Sequence, residues 1–172
     1  LHRPLTYLSV ILFTKVMMPN PLFQPLTIRH VTFRNRFMST SHACGLEEGG
    51  LPKERYQRYH EEKAKGGIGL TMFGGSSNVA PDSPSVFQQL YVGDDEVIPY
   101  LQQFSERVHR HGTAIMCQIT HLGRRGEPYQ GHWLPTIGPS AIRETLHRSF
   151  PKEMDHHDIT RVVEAYGAAA RR

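Results

Sequence analysis

The sequence predicts an α/β fold with parallel strands, in which a small β-hairpin precedes three strand–helix units. Three observations carry that reading. Residues 113–119 form an apolar run that follows a helical pattern and is bounded by Gly112 and Gly123, as expected of a buried parallel strand. Residues 68–73 have a similar make-up, and the first half of residues 37–43 reads as a strand whose end bears polar residues. Each of the three runs is followed by a segment of helical periodicity, and strands that alternate with helices pair in parallel through right-handed crossovers.

The elements follow in order. Residues 5–13 are apolar and come after Arg3. They lack a small-residue cleavage site and are too short to span a membrane. Met17 or Met18 is the expected start. Residues 1–18 are then an extension or upstream translation, and residues 19–172 the domain. Leu26-Thr27-Ile28 and Val31-Thr32-Phe33, joined by Arg29-His30, read as a hairpin. The first barrel strand starts at Phe37, and Ser, Thr and His accumulate where it ends at Ser41-His42-Ala43. Pro52 suits the first turn of a helix that runs to about Lys65 and stops at Gly66-Gly67. The second strand, residues 68–73, is expected to end at Gly74-Gly75. Paired glycines there allow close approach to something flat or bulky, and a plain turn explains them equally well.

Residues 76–93 read as a long loop, a length common in functional loops. Asp94 and Asp95 open the next helix, whose apolar stripe is Val97, Leu101, Phe104 and Val108. In the third strand Ile115, Cys117 and Ile119 share one face, and Ala114, Met116 and Gln118 the other. Gln118 is then a buried amide at a strand's carboxyl end. Without partners it would cost about 1–3 kcal/mol, so it meets a neighbouring backbone or a ligand. Carboxyl ends of strands are where α/β barrels carry their chemistry. Residues 120–154, with Trp133, read as another long loop. Asp155 caps the last helix, with Asp158 three residues on. That helix reaches Arg171-Arg172 without a C-cap. A closed (β/α)8 barrel takes about 250 residues, so the fold expected is the N-terminal portion of one.

Composition narrows the function. The chain has 172 residues, 38% hydrophobic and 21% charged, and Lys+Arg exceed Asp+Glu by 20 − 16 = 4. That describes a globular protein with a mixed charged surface and no nucleic-acid-binding stripe. Cys44 and Cys117 fit neither a disulfide framework nor a zinc knuckle, and reduced thiols point to the cytoplasm. The eleven histidines include no H-E-x-x-H spacing, so no metal ligand is assigned. No partner other than a small-molecule substrate is expected: no nucleic acid, no membrane, and a homo-oligomer when intact.

At this point the residues resemble a known family. Gln118-Ile119-Thr120-His121-Leu122-Gly123-Arg124 looks like the third-strand Q-x-x-H-x-G-R signature of the Old Yellow Enzyme (NADH:flavin oxidoreductase) family. Pro21 to Leu26 with Asn35 to Met38 resembles its N-terminal segment, Arg58 to Leu70 its first helix and second strand, and Gly138-Pro139-Ser140-Ala141 its third βα loop. Gly45-Leu46-Glu47-Glu48 looks closest to the branch of 2,4-dienoyl-CoA reductase, trimethylamine dehydrogenase and N-methylproline demethylase.

The resemblance implies a TIM-barrel oxidoreductase that binds FMN, with NAD(P)H as a candidate electron donor and hydride passing through flavin N5. The reaction implied is enoate or dienoyl reduction, or oxidative N-demethylation. It also implies the site. Ser41, His42 and Ala43 match the strand end that lies along the isoalloxazine. Gly75 matches the second-strand glycine near its reactive edge, with Gly74 beside it. Gln118 matches the glutamine on the pyrimidine edge, and Arg124 supports the loop. Ala43 stands where trimethylamine dehydrogenase carries its flavin-linked cysteine, so FMN is expected to be non-covalent. Whole members of the branch carry a 4Fe-4S cluster in a C-terminal part, for which no cysteine cluster is present. The family's catalytic His and Tyr positions and its phosphate loops match nothing in residues 1–172, so no catalytic residue is assigned. The chain alone is expected to be inactive and to bind FMN weakly. The alternative is a half-barrel acting only as a binding or interaction module.

Overall fold

The computed structural model describes residues 20–83, 85–125, 135–146 and 148–172. The expected extension and Trp133 lie outside the described residues. The N-terminal hairpin forms as expected, with β1 (Leu26–Ile28) antiparallel to β2 (Val31–Phe33) and Arg29 left-handed in its turn at φ 53°. Arg34, just past the hairpin, fastens it to two helix ends. It donates to the carbonyls of Ala64 and Gly67 (both 3.1 Å), at the end of the first helix, and of His111 (2.7 Å), just past the second.

The three expected strands form one parallel sheet in the order β3 (Met38–Ser39), β4 (Leu70–Asn78) and β5 (Ala114–Thr120). α1 (Glu54–Lys65) and α2 (Ile98–His109) cover one face of it. There Tyr56, Ala64, Phe73, Leu90, Phe104 and Val108 form a core cluster, with Ile115 and Cys117 packed against it. The alternation expected for β5 is observed: Ile115 and Cys117 face the helices. Burial drives the Cys117 thiol up to about 11, so it is an inert core group.

The other face is not covered among the described residues. Met38 is 51% and Met116 46% exposed, and Gln118 is exposed too. This corrects the expectation that Gln118 is buried. An apolar run signals a strand covered on both faces, whereas here helices lie against one.

β4 is longer than expected. It runs through Gly74-Gly75 instead of ending there, because the glycines form a bulge. Gly74, Gly75 and Ser76 all have positive φ (104°, 51° and 85°). Pairing with β5 jumps from Phe73↔Cys117 to Ser77↔Ile119, so three residues of β4 stand opposite Gln118 alone. The expected loop 76–93 is also shorter. Asn78 exchanges backbone hydrogen bonds with Leu90 (2.7 Å) and Val92 (2.8 Å), returning the chain to the strand end.

Within the expected loop 120–154, β6 (Ile137–Gly138) and β7 (Lys152–Glu153) make a short parallel pair. α3 (His156–Arg171) starts at the expected capping box, Asp155 accepting from the Asp158 N–H and Asp158 reaching back to the Asp155 N–H. No helix of the described residues is long and apolar enough to cross a membrane.

Candidate functional site

Three chain segments converge where the carboxyl ends of β3, β4 and β5 meet. Gly75 is the pivot. A Cβ at this position would fall on the His42–Ala43 peptide, so the segment after β3 lies directly on the bulge of β4. Gly74 has the same role towards β5: an added Cβ would stand 2.6 Å from the Gln118 carbonyl oxygen and from Ser77 Oγ. The Gly74 N–H donates to Tyr56 Oη (3.0 Å), which is buried under the sheet. Burial raises that phenol above its ordinary range, so it stays protonated.

Gln118 closes the arrangement. Its Oε1 accepts from Ser41 Oγ, and its Nε2 donates to no protein acceptor among the described residues. Ser41, His42, Ala43, Gly74, Gly75 and Gln118, six residues singled out in the sequence, are thus brought to one place. The result is a wall of the half-buried Gly75, with the buried Gly74 beside it, one exposed peptide and one exposed carboxamide with an open donor.

Sequence reasoning missed the residues behind the wall. Tyr59 on α1 meets His42 Nε2 at 2.8 Å, and Lys63 donates to Ser39 Oγ at 3.0 Å. The available signal was the helical spacing of Tyr56, Tyr59 and Lys63, which puts them on one side of α1. His60 lies deeper, 2% exposed, with Nδ1 at 2.8 Å from Thr71 Oγ1 and Nε2 unpartnered. Burial first, then coulombic repulsion from Lys63 and from the His42 ring, push its pKa down to about 3. Its folded value lies below the ordinary 6.5, so the stability it lends is complete above about pH 6.5. That stability is lost as pH falls toward 3. A denaturant midpoint that declines between pH 6.5 and 4.5, and declines less in His60→Gln, is the expected result.

The signature's His121 is structural. Gly123 N–H donates to its Nδ1 (3.1 Å), which leaves the ring proton on Nε2 to donate to Asp82 Oδ1 (3.2 Å). Arg161 of α3 grips the same carboxylate with both guanidinium arms, at 2.9 and 2.6 Å. Arg124 sits in the same loop, donating to the Ile142 carbonyl (3.4 Å) while its own carbonyl accepts from Ser149 Oγ (2.8 Å). It holds the loop and does not point into the wall's hydrogen bonds, as expected. Beside the end of β4 a cavity of about 360 Å³ opens between two loops, lined by Glu47, Asn78, Ser83, Gln89 and Tyr91. Among the described residues no group of three His, Cys, Asp or Glu side chains converges as a metal site would.

The chain is similar to known proteins over most of its length. A family model described as NADH:flavin oxidoreductase / NADH oxidase matches residues 21–172. The multifunctional alkene reductase/demethylase OYE of Caballeronia cordobensis is 58% identical over 153 residues, 89% of this chain and 23% of that protein. The N,N-dimethylglycine/sarcosine dehydrogenase of Chromohalobacter salexigens is 44% identical over 153 residues, 88% of this chain and 22% of that protein. The chain therefore spans less than a quarter of the length of these relatives. Among solved structures, a 2-naphthoyl-CoA reductase in complex with 2-naphthoyl-CoA superposes with a TM-score of 0.80 at 22% identity, over 88% of this chain and 25% of that one. That likeness shows the fold: the strand–helix order here is that of the N-terminal portion of a TIM barrel.

Proposed function

The chain belongs to the NADH:flavin oxidoreductase / NADH oxidase family, and on that premise we propose that its wall at β3–β5 holds the ring of a non-covalent FMN in an oxidoreductase. The observation that carries this is the Gln118 carboxamide, exposed at the carboxyl end of β5 with its oxygen engaged by Ser41 and its Nε2 open. A ring edge rich in carbonyl oxygens is the natural acceptor for that donor. The Gly74-Gly75 bulge and the His42–Ala43 peptide beside it offer a surface free of side-chain bulk, as a flat tricyclic ring requires. Ala43 offers no thiol, and Cys44 lies one residue away, so nothing at that position forms the covalent link.

Bound there, FMN supplies hydride chemistry through N5, with NAD(P)H as a donor in the whole protein. The chain's own residues would bind and orient the ring: Gln118 would hydrogen-bond its pyrimidine edge and residues 41–43 would line its side. The printed names of the relatives, an alkene reductase/demethylase and an amine dehydrogenase, support either alkene reduction or oxidative demethylation of an amine as the reaction of the whole protein.

Gln118→Ala in the full-length protein tests the assignment. One charge-neutral hydrogen bond lost from a ligand site is worth about 1–2 kcal/mol, so FMN should bind about 5- to 30-fold more weakly with the melting temperature unchanged. Unchanged FMN affinity in this variant removes Gln118 from the site.

A further inference from the structure

His42 is exposed, and among the described residues its imidazole is held by one side chain, Tyr59 of α1. Besides the 2.8 Å contact to Nε2, the two rings meet edge to face, with centroids 5.7 Å apart and planes at 78°. Tyr59 is itself fixed from two sides. The ring of His60 packs edge-on against it at 5.2 Å, and Lys63 Nζ lies 4.2 Å from its centroid. Lys63 also donates to Ser39 Oγ, so α1 grips both β3 and the segment after it.

The chemistry of this pair sets a direction. An ammonium over the face of a phenol draws electron density from the ring and makes the O–H the better donor. The phenol therefore donates and Nε2 accepts, and a neutral imidazole that accepts at Nε2 carries its proton on Nδ1. Nδ1 has no protein partner among the described residues. It belongs to the residue whose peptide rests on Gly75, at the wall described above.

We propose that Tyr59 is a positioning residue that fixes both the rotamer and the tautomer of His42, so that Nδ1–H stands as a hydrogen-bond donor to an acceptor atom of the ring bound at this wall. This rests on the FMN reading of the wall and adds to it a part that α1 plays from behind. In this arrangement the wall has two side-chain donors, Gln118 Nε2 and His42 Nδ1, each oriented by a hydroxyl on its other polar atom: Ser41 for Gln118, Tyr59 for His42. Lys63 acts one step further back, through the phenol.

The test is a double-mutant cycle in the full-length protein, with Tyr59→Phe, His42→Ala and both together. The readouts are the FMN dissociation constant, by flavin fluorescence, and the midpoint potential of the bound flavin. Tyr59→Phe keeps the ring and its packing, so the fold is retained and the melting temperature reports any purely structural loss. The expected result is that Tyr59→Phe weakens FMN binding about tenfold, the size of one oriented hydrogen bond, and shifts the midpoint potential. His42→Ala should do the same, and the double variant should be no worse than His42→Ala alone. Unchanged affinity and potential in Tyr59→Phe, a lower melting temperature with the potential unmoved, or losses that multiply in the double variant would each overturn the proposal. If the unmutated full-length protein itself takes up no FMN, the FMN reading fails first and this inference falls with it, a result separate from the other three.

Discussion

Replacing Gly75 by valine is expected to give the largest loss at the candidate site, a protein about 3–5 kcal/mol less stable that no longer takes up FMN. Two effects add. Gly75 is left-handed at φ 51°, a region that costs an L-residue roughly 1–2 kcal/mol and a β-branched one more. The new side chain also lands on the His42–Ala43 backbone, which cannot swing aside as a flexible side-chain tip could. Overpacking against a fixed neighbour costs about 1–3 kcal/mol. The strain is relieved only by lifting residues 42–43 off β4, which pulls apart the surface proposed to line the ring. Denaturant unfolding and an FMN titration on the same full-length preparation measure both losses, and affinity should fall more than about a hundredfold. Gly75→Ala should move in the same direction by less. A valine variant that binds FMN as the unmutated protein does would show that the contact between the bulge and residues 42–43 is not what shapes the wall.

Asp82→Ala is expected to be the largest purely structural loss, about 2–4 kcal/mol. The Asp82 side chain is 4% exposed and takes three hydrogen bonds, one from His121 and two from Arg161. Removing it leaves His121, whose side chain is 6% exposed, with a buried donor and no acceptor. Arg161 is 36% exposed and can turn to water, which keeps the estimate below the full value for a buried pair. The carboxyl also carries a pH dependence. Burial alone would raise its pKa, but the hydrogen bonds from His121 and Arg161 outweigh burial and hold it well below the usual carboxylate range. The unfolded chain therefore takes up this proton first, at about pH 4. The contribution of Asp82 is complete above that pH and is lost as the pH falls further. Asp95→Ala is the matched control: its pair with Arg172 is 77% exposed on the acid side and should change the denaturant midpoint little. Equal effects of the two substitutions would contradict the assignment of the Asp82 cluster as the tie between β4, β5 and α3.

How far the sequence speaks for this molecule depends on the range of the forces involved. Local signals were legible. The apolar stripe of Val97, Leu101, Phe104 and Val108 turns inward as its period demanded, with Leu101 half-buried and the other three buried. The capping box at Asp155 and Asp158 forms at the expected residues, and the faces of β5 alternate as written. Gln118 drew notice because one amide ended an apolar run. What could not be read was set by neighbours far along the chain. Whether Gly74-Gly75 ends a strand or bulges within it depends on how β4 registers against Gln118 some forty residues later. Two-residue strands such as β6 and β7 have no pattern of their own and exist through pairing alone. The exposure of Gln118 follows from helices covering a single face of the sheet, which strand periodicity cannot reveal. The link from Tyr59 to His42 joins a helix to a strand end, two residue types that each have a commonplace explanation in isolation.

The most direct test of the central claim is a crystal structure of the full-length protein with FMN. The account predicts the ring against the Gly74-Gly75 bulge and the His42–Ala43 peptide, with Gln118 Nε2 at hydrogen-bonding distance, about 3 Å, from its pyrimidine edge. FMN bound elsewhere, or a ring whose pyrimidine edge faces away from Gln118, would contradict it.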